Sequence, residues 1–347
     1  MSVLISITML PMALAGYGDV DDEGFPNYEE RGVHLWTNAV RVDPEAFDAE
    51  YQSSGCTFAD FEPSEQTPKQ LLYFDRNLNI AGRFHSQDMY DNNWFEHESS
   101  DGTSFFDRVA RYYTESSYVG ENIAAGYPSP YSSVMHGWMC SAGHRSNIML
   151  ADYNELGTGV ISAYYTQDFA AGNADSDGPV AMGIHDDVSS AGEATFYVDW
   201  QDEAAPDSVK IVIDGFGTEL ILEWGEDTLG IFSGRVTPED TEVGCHEYYF
   251  AWTTQSGISG TFPEEGSYLY GSDCDNDLMW IGTQTGGGAL LQQDPSFDPQ
   301  DDLKLIGCAT QGWNLDAKGN RISFGSIMLL SIVPLVLLLR RRDQSHL

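Results

Sequence analysis

Three short stretches of the chain carry side chains that bind metal ions or exchange protons. WFEHESSDG holds His97, GENIAAG holds Glu121, and WMCSAGHRSNIM holds His144. Imidazole nitrogens and a carboxylate oxygen are the ligands that Zn²⁺ and similar divalent ions take in proteins. A carboxylate beside a neutral histidine is also an acid/base pair, with Glu121 as the candidate general base. The stretches lie far apart in the sequence, so only a folded domain brings them together.

Two helices are predicted ahead of these residues. In YEERGVHLWTNAVRVDPEAF, Val33, Trp36 and Val40 recur at helical spacing and Pro44 ends the helix. In LLYFDRNLNIAGRFHSQDMYDNNWF, one helical face is formed by Leu78, Ala81, His85 and Met89. This pattern favours His85 as a half-buried helix residue over His85 as a ligand.

A third helix is predicted after Pro130, with Ser132 or Ser133 as its N-cap. Gly143 is predicted to break that helix just before His144, where a new helix begins. The following ELGTGVISAYYTQDFA is rich in β-branched and aromatic residues and predicts sheet.

His144 has two interpretations. It lines a polar cleft, or it serves only to satisfy backbone groups at the start of the new helix. Cys140 stands four residues earlier, so a catalytic Cys–His dyad is an alternative. An ordinary small buried cysteine is the favoured interpretation.

Six motifs occur in one order along this part of the chain: RFHSQDM, WFEHESSDG, GENIAAG, W-x-x-S-x-GHRSNIM, ELGTGV and YYTQDF. Together with LWTNAVRVDPEAF, they resemble the bacterial form of the CAP superfamily, also called the SCP/PR-1-like family. The resemblance implies a CAP domain over residues 28–172, folded as an α-β-α sandwich with a three-stranded antiparallel sheet between helical layers. It also implies an open cleft of histidines and acidic residues that can hold a divalent ion.

The resemblance assigns the cleft to five positions. His97, Glu121 and His144 form a polar triad and are the expected metal ligands, with Zn²⁺ or Ca²⁺ as the cofactor. Ser141 stands where the eukaryotic-type pattern has a glutamate, and Tyr164 stands where that pattern has the histidine of HYTQ. The join between GTGVIS and AYYTQDF leaves little room for a hairpin turn, so the register of Tyr164 stays open.

The sequence pattern changes after the motifs. Between residues 178 and 275, short alternating runs separated by Gly, Asp and Pro predict an antiparallel, Ig-like β-sandwich. In GCHEYYFAW, one face is predicted to pack into its core: His246, Tyr248, Phe250 and Trp252. Of the five cysteines, Cys245 and Cys274 are the best candidate pair. The predicted fold class is therefore α+β, an α-β-α CAP domain followed by a β-sandwich domain.

The ends of the chain carry export signals. Residues 1–15 are an apolar run ending in Ala-Leu-Ala, typical of a signal peptide, and residues 16–27 are an acidic, turn-rich stretch that predicts a flexible leader. Residues 276–320 predict a spacer. Residues 322–339 predict a membrane or sorting helix, followed by the stop formed by Arg340, Arg341 and Arg342.

The charge balance excludes one class of partner. The chain has 347 residues, with 16 Lys and Arg against 54 Asp and Glu, and a formal net charge of -38. Such a surface repels phosphate backbones, so nucleic acid is not an expected partner.

Two functions remain after these exclusions. The first is an exported, surface-displayed binding module whose cleft holds a divalent cation and a lipid, peptide or cell-envelope ligand. The second is a metal-dependent, peptidase-like hydrolase that uses the same cleft. Fold does not decide between them, so enzymatic activity stays open.

Overall fold

The structure is a computed structural model. It describes residues 17–21, 24–173, 178–186, 193–236, 244–271 and 274, and the backbone of residues 280–281, 313–315 and 321–323. The chain divides into two compact units, residues 1–294 and residues 295–347. In the second unit, Trp313–Leu315 pairs with Arg321–Ser323 as a short antiparallel ladder.

Several predicted segments lie outside the described residues. These are the signal peptide, nearly all of the predicted spacer and, apart from its first two positions, the predicted tail helix of residues 322–339. Within the described part of the chain, none of the helices has the length and apolar character needed to cross a bilayer.

The first unit begins with a helical region. Helix α1 starts at the capping box of Asn27 and Glu30, in which each side chain accepts the other residue's backbone N–H, and it ends before Pro44. The third predicted helix begins earlier than expected, because Ser129 and not Ser132 or Ser133 is its N-cap. The helices are α1 Tyr28–Val42, α2 Asp48–Ser53, α3 Arg76–Asn92, α4 Phe105–Val109, α5 Pro130–Ser132 and α6 Ala142–Ile148, with 3₁₀ turns at Pro44–Phe47 and Phe58–Asp60 and a π-helical turn at Ser133–Trp138.

The helices enclose a four-stranded sheet of order β1-β3-β4-β2. Its strands are β1 Tyr73–Phe74, β2 Val119–Ala125, β3 Glu155–Ile161 and β4 Tyr164–Ala170. Strands β2, β4 and β3 are antiparallel, as the family resemblance implied, and β1 adds a fourth strand parallel to β3. Strand β2 is therefore an edge strand.

Alternate residues of β3 face different helices. Gly157 and Gly159 lie against the backbone of α3, so closely that a Cβ at either position would overlap it. Thr158 points the other way and donates to the carbonyl of Glu30 in α1 at 2.9 Å. The sheet is thus covered by α3 on one face and by α1 on the other.

Residues 183–281 are rich in antiparallel sheet. A four-stranded sheet has the order β5-β6-β10-β9, and a second sheet has the order β14-β13-β11-β7-β8 with β12 paired to β11. The strands are β5 Gly183–His185, β6 Ala194–Gln201, β7 Pro206–Ile213, β8 Phe216–Glu219, β9 Ile221–Glu226, β10 Leu229–Val236, β11 His246–Thr254, β12 Ser259–Phe262, β13 Ser267–Tyr270 and β14 Trp280–Ile281. The predicted inward face of β11 is confirmed, since His246, Tyr248, Phe250 and Trp252 are all buried. The predicted disulfide between Cys245 and Cys274 is present.

Helix α1 packs against both the four-stranded sheet and the β-rich segment. Every residue of this helix from Glu30 to Val42 is buried. Asn38 donates to the buried Asp199 carboxylate of β6 at 2.7 Å, and Trp36 packs edge-on against Tyr197. One continuous core therefore includes residues of the helical region and of the β-rich segment.

The prediction of a flexible leader is wrong for the described residues before α1. Asp19, Val20 and Phe25 are buried. The carbonyl of Gly18 accepts a hydrogen bond from the Tyr268 hydroxyl at 2.6 Å. The acidic composition suggested a solvated segment, but its apolar residues and backbone groups pack against the β-rich segment instead.

Candidate functional site

Glu121 is the centre of the site. It lies in the edge strand β2, and only 1% of its side chain is exposed. Its Oε1 atom is 2.8 Å from Nδ1 of His97, and its Oε2 atom accepts a hydrogen bond from Nη2 of Arg108. Both carboxylate oxygens are therefore engaged, one by a neutral or protonated ring and one by a permanent cation.

Arg108 holds the His97 loop in place. Its fully buried guanidinium extends from α4 and also donates to the backbone carbonyl of His97 at 3.1 Å and to the hydroxyl of Ser99 at 2.9 Å. The same side chain thus fixes Glu121 and the backbone that carries His97. Sequence reasoning missed Arg108, because the only sequence signal was a basic residue in FFDRV, next to the apolar Val109.

A second carboxyl faces Glu121 across the sheet. Asp168 in β4 is the register partner of Glu121 and is fully buried. Burial, and then the negative charge of Glu121, raise the pKa of Asp168 well above its ordinary value. Neither oxygen of Asp168 has a hydrogen-bond partner within the described part of the chain. We infer that Asp168 is the protonated member of the pair, because its carboxyl is buried beside the Glu121 carboxylate.

His85 is fully buried beside the pair, deeper than the half-buried position expected from the sequence. Its Nε2 atom lies 3.0 Å from the carbonyl of Glu96 and 4.0 Å from Oε2 of Glu121. Burial lowers the pKa of His85 to about 4. A neutral His85 therefore donates to Glu96 and supports the loop on which His97 lies.

Helix α6 places His144 beside β2. Asn122 donates to the His144 carbonyl at 3.1 Å, and Asn147 donates to the Glu121 carbonyl at 3.2 Å, so side-chain amides fasten α6 to the edge strand. Burial, and then the neighbouring charge of His97, lower the pKa of His144. Its Nδ1 atom is buried without a hydrogen-bond partner among the described residues.

Two further predicted cleft residues lie at the edges of this arrangement. Ser141 is the N-cap of α6, but its side chain makes no capping hydrogen bond. The predicted break at Gly143 is wrong, because this residue lies inside α6 and the break precedes Ala142.

Tyr164 begins β4 after a two-residue turn in which Ser162 has a φ of 56°. This positive φ makes the short join a hairpin and settles the register. The Tyr164 ring packs 6.3 Å from the ring of Tyr90 in α3. Four residues separate Tyr164 from Asp168, about 13 Å along the strand, so Tyr164 does not contact the Glu121 cluster directly.

The donor set does not match a three-ligand metal site. Glu121 was expected to supply an oxygen, but Arg108 and His97 occupy its two oxygens. Within the described ranges, no group of three or more His, Cys, Asp or Glu side chains is arranged to hold a metal ion. The imidazoles of His97 and His144 are the remaining donors, and the divalent-cation site stays a prediction.

The predicted thiol alternative is removed by a disulfide. Cys140 is bonded to Cys56, so it has no thiolate to pair with His144. The bond ties the chain just before Ser141 to the segment after α2. The sequence did not single out this pair, because its members are 84 residues apart.

Comparison with known sequences identifies the helical region. A family model described as CAP, the cysteine-rich secretory protein family, matches residues 37–174. Over 85 residues the chain is 42% identical to an uncharacterised membrane protein, YlbC, of Bacillus subtilis. The matched segment is 24% of this chain and 24% of the relative. Over 135 residues the chain is 33% identical to an uncharacterised protein, YkwD, of the same species. This matched segment is 38% of this chain and 51% of the relative. The chain thus matches about half or less of the length of these relatives.

Two solved structures show partial similarity. One is an extracellular protein containing an SCP domain from Bacillus anthracis, with 37% identity and a TM-score of 0.28 over 29% of this chain and 34% of that chain. The other is an outer surface protein of Borrelia burgdorferi, with 18% identity and a TM-score of 0.27 over 29% of this chain and 78% of that chain.

Proposed function

We propose that the region matching the CAP family model, residues 37–174, acts outside the cytoplasm by binding a peptide at His97 without hydrolysing it. The observation that carries the proposal is the environment of Glu121. Its carboxylate is buried and both oxygens are engaged by Arg108 and His97. A carboxylate held in this way orients a histidine and has no oxygen free to activate a water molecule.

His97 supplies the ligand contact. Its Nδ1 atom is bound to Glu121, while 55% of its side chain is exposed. The Nε2 atom is therefore the ring atom available to a ligand. In a ring that donates from Nδ1, Nε2 is an acceptor suited to a peptide N–H or a hydroxyl group.

The chemistry around His97 favours a peptide over an acyl chain. The buried groups beside it are Glu121, Arg108 and Asp168, all polar or charged. An acyl chain gains its binding energy from apolar surface alone, whereas a peptide offers donors and acceptors to these polar groups and side chains to the exposed rings of Trp94 and Phe95 nearby.

Export is supported by two independent features. The sequence of residues 1–15 is typical of a signal peptide. The structure holds two disulfides, Cys56–Cys140 and Cys245–Cys274, and disulfides persist in oxidising compartments. The predicted tail helix and its arginines would display the protein at the cell surface.

We also infer that the β-rich segment is a β-sandwich that supports the CAP domain. Ring contacts join its two sheets: Phe196 of β6 packs edge-on against Tyr248 of β11, with ring centroids 4.9 Å apart. Trp200 and Trp252 make a similar contact at 6.1 Å. Interdigitating aromatic faces of two antiparallel sheets are the packing mode of sandwiches.

A peptide array tests the binding function. Full-length protein is incubated with an array of short peptides of defined sequence, and bound protein is quantified for the wild type, His97→Ala and His136→Ala. His136 is the matched control, because its ring is partly exposed and pairs with Glu50 away from Glu121. We expect His97→Ala to weaken binding about fivefold, the value of one lost hydrogen bond, and His136→Ala to change it less than twofold. Binding to phosphatidylglycerol vesicles but to no peptide would contradict the proposal.

A hydrolase is the second candidate, and one observation favours it. The carboxylate of Glu121 orients His97 as it would orient a catalytic base. Fluorogenic peptides incubated with Zn²⁺, Ca²⁺ or EDTA distinguish the two functions. Turnover that is abolished both by EDTA and by Glu121→Gln would replace binding by hydrolysis, and we expect no such turnover.

A further inference from the structure

One exposed surface adjoins His97 and is not explained by packing. Residues 90–98, YDNNWFEHE, are all exposed. This stretch, called here the Tyr90–Glu98 surface, includes three aromatic side chains, Tyr90, Trp94 and Phe95, which are 41%, 37% and 37% exposed. A group of aromatic rings left in water beside a binding residue indicates a contact surface for a partner.

The surface is rigid although it is exposed. Asn93 ends α3 in the left-handed conformation, and the Trp94 backbone N–H donates to the carbonyl of Met89 at 3.0 Å. The Trp94 ring N–H donates to the carbonyl of Glu98 at 2.7 Å, which fixes the indole across the loop. The contacts of His85 with Glu96 and of Arg108 with His97 hold the backbone from below. A surface fixed before binding loses little conformational entropy when a ligand arrives.

The segment that carries the rings is acidic and lies between two arginines, Arg83 and Arg108. The chain from Phe84 to Asp107 contains six acidic residues and neither lysine nor arginine. Three of these acids, Asp91, Glu96 and Glu98, lie within the Tyr90–Glu98 surface itself. Aromatic faces and carboxylates both attract cations, the first through the ring quadrupole and the second through charge.

We propose that the Tyr90–Glu98 surface binds a lysine- or arginine-rich peptide segment, which leads into the His97 site. The proposal rests on the proposed peptide-binding function and names its ligand class. The rings of Tyr90, Trp94 and Phe95 contact the aliphatic stems and cationic heads of the basic residues, and the three acids pair with their charges. Phosphorylated or otherwise anionic ligands are repelled by the same surface.

Fluorescence anisotropy of labelled peptides tests the ligand class. The probes are fluorescein-labelled peptides of about ten residues that alternate glycine with lysine, serine or glutamate, titrated with full-length protein at about 0.15 M salt, where distant charges are screened. We expect the lysine peptide to bind at least about tenfold more tightly than the serine peptide, as expected for two or three cation–π and ion-pair contacts. Equal binding of the lysine and serine peptides, or no binding of the lysine peptide, overturns the proposal.

Matched variants separate this surface from the general acidity of the protein. Trp94→Ala and Glu96→Gln are compared with Phe216→Ala and Glu203→Gln, which alter an exposed aromatic residue and an exposed acid in the β-rich segment. We expect the first pair to weaken the lysine peptide about fivefold each and the second pair to leave it within twofold. Equal losses for Glu96→Gln and Glu203→Gln would mean diffuse attraction and would overturn the proposal. If Trp94→Ala lowers the melting temperature, Phe95→Ala is used instead. The Phe95 ring has no N–H, so its removal breaks no hydrogen bond of the kind that Trp94 makes with Glu98.

The two proposals fail in different ways. Peptide binding that depends on His97 but shows no preference for lysine leaves the peptide-binding function intact and removes the cationic ligand. Lysine-peptide binding that depends on Trp94 but not on His97 keeps the Tyr90–Glu98 surface and removes His97 as the ligand contact.

Discussion

At the scale of single residues, the site poses the question of which buried carboxyl carries the negative charge. Glu121 has a cation, Arg108, and a histidine on its two oxygens. Neither oxygen of Asp168 has a hydrogen-bond partner within the described residues. Two carboxylates in contact away from water repel each other, so one of them retains its proton. The donors assign the charge to Glu121 and the proton to Asp168.

This assignment predicts unequal effects of two conservative substitutions. Asp168→Asn places a neutral amide where we infer a neutral carboxyl and should change the unfolding free energy at pH 7 by less than about 1 kcal/mol. Glu121→Gln leaves the buried Arg108 without its counterion and should lower the unfolding free energy by about 3 kcal/mol. This value is at the low end of the cost of breaking a buried ion pair, because Asp168 can then ionise and replace the lost charge. Urea denaturation of both variants measures the difference. A larger loss for Asp168→Asn than for Glu121→Gln would reverse the assignment.

His34 of α1 gives a pH-dependent prediction. It is fully buried, its Nε2 atom is 2.7 Å from the Leu72 carbonyl, and burial lowers its pKa to about 4. Below about pH 6.5 the unfolded chain protonates this histidine and the native state does not, so its contribution to stability is lost as the pH falls. His34→Gln, which can still donate to Leu72, removes this linkage.

We therefore expect the stability of the wild type relative to His34→Gln to fall by about 2 kcal/mol between pH 7.5 and pH 5. Paired urea titrations across this range measure it. Parallel pH profiles for the two proteins would show that His34 is protonated in the native state as readily as in the unfolded chain.

At the scale of elements, β3 lies directly against the backbone of α3. A Cβ on Gly159 would overlap the backbone of Gly82 and Arg83. Helix α3 carries His85, so the distance between helix and sheet also sets the depth of that ring beneath the His97 loop. The two glycines of ELGTGV are thus explained by helix–sheet packing rather than by a turn.

Two glycine substitutions test this packing. Gly159→Ala should cost about 3 kcal/mol, the upper range for overpacking, because backbone and not a movable side chain is displaced. Gly143→Ala is the matched control: a Cβ there meets no atom within 4 Å, and the residue lies inside α6. Alanine at that position should stabilise the protein by up to about 1 kcal/mol. Thermal unfolding of both variants gives the comparison, and a neutral Gly159→Ala would contradict the packing argument.

The elements that could be predicted from the sequence are those whose signal is local. The apolar spacing of α1 and α3, and the alternation of β11, are properties of short windows. Arg108 and Asp168 could not be found in this way, because their partner Glu121 is fixed by sheet register and by the path of the His97 loop. The leader was mispredicted for a related reason: its acidic composition is local, but the β-rich segment that buries it lies more than two hundred residues away.

At the scale of the whole molecule, the helical region and the β-rich segment share their stabilisation. Helix α1 has no solvent-facing stripe from Glu30 to Val42, so removing either neighbour would expose apolar surface. Arg31 illustrates the connection: its guanidinium lies 3.9 Å from the centre of the Tyr268 ring in β13 and donates to the Pro26 carbonyl at 2.8 Å. A cation buried between segments in this way is solvated by neither segment alone.

The shared core predicts that a change in helix α1 destabilises the β-rich segment. Trp36→Ala in α1 removes an indole that packs against Tyr197 and Trp224, and large-to-small changes of this kind cost about 3–5 kcal/mol. If the segments unfold as one unit, hydrogen exchange should accelerate in β11. This strand is a suitable probe because the rings of its inward residues Tyr248 and Phe250 pack against other aromatic rings and not against Trp36. The control is Phe216→Ala at an 80% exposed position, which should leave exchange in β11 unchanged. Faster exchange could instead be confined to α1 and the four-stranded sheet, with exchange in β11 unchanged. That result would mean that the two segments unfold independently despite their common core.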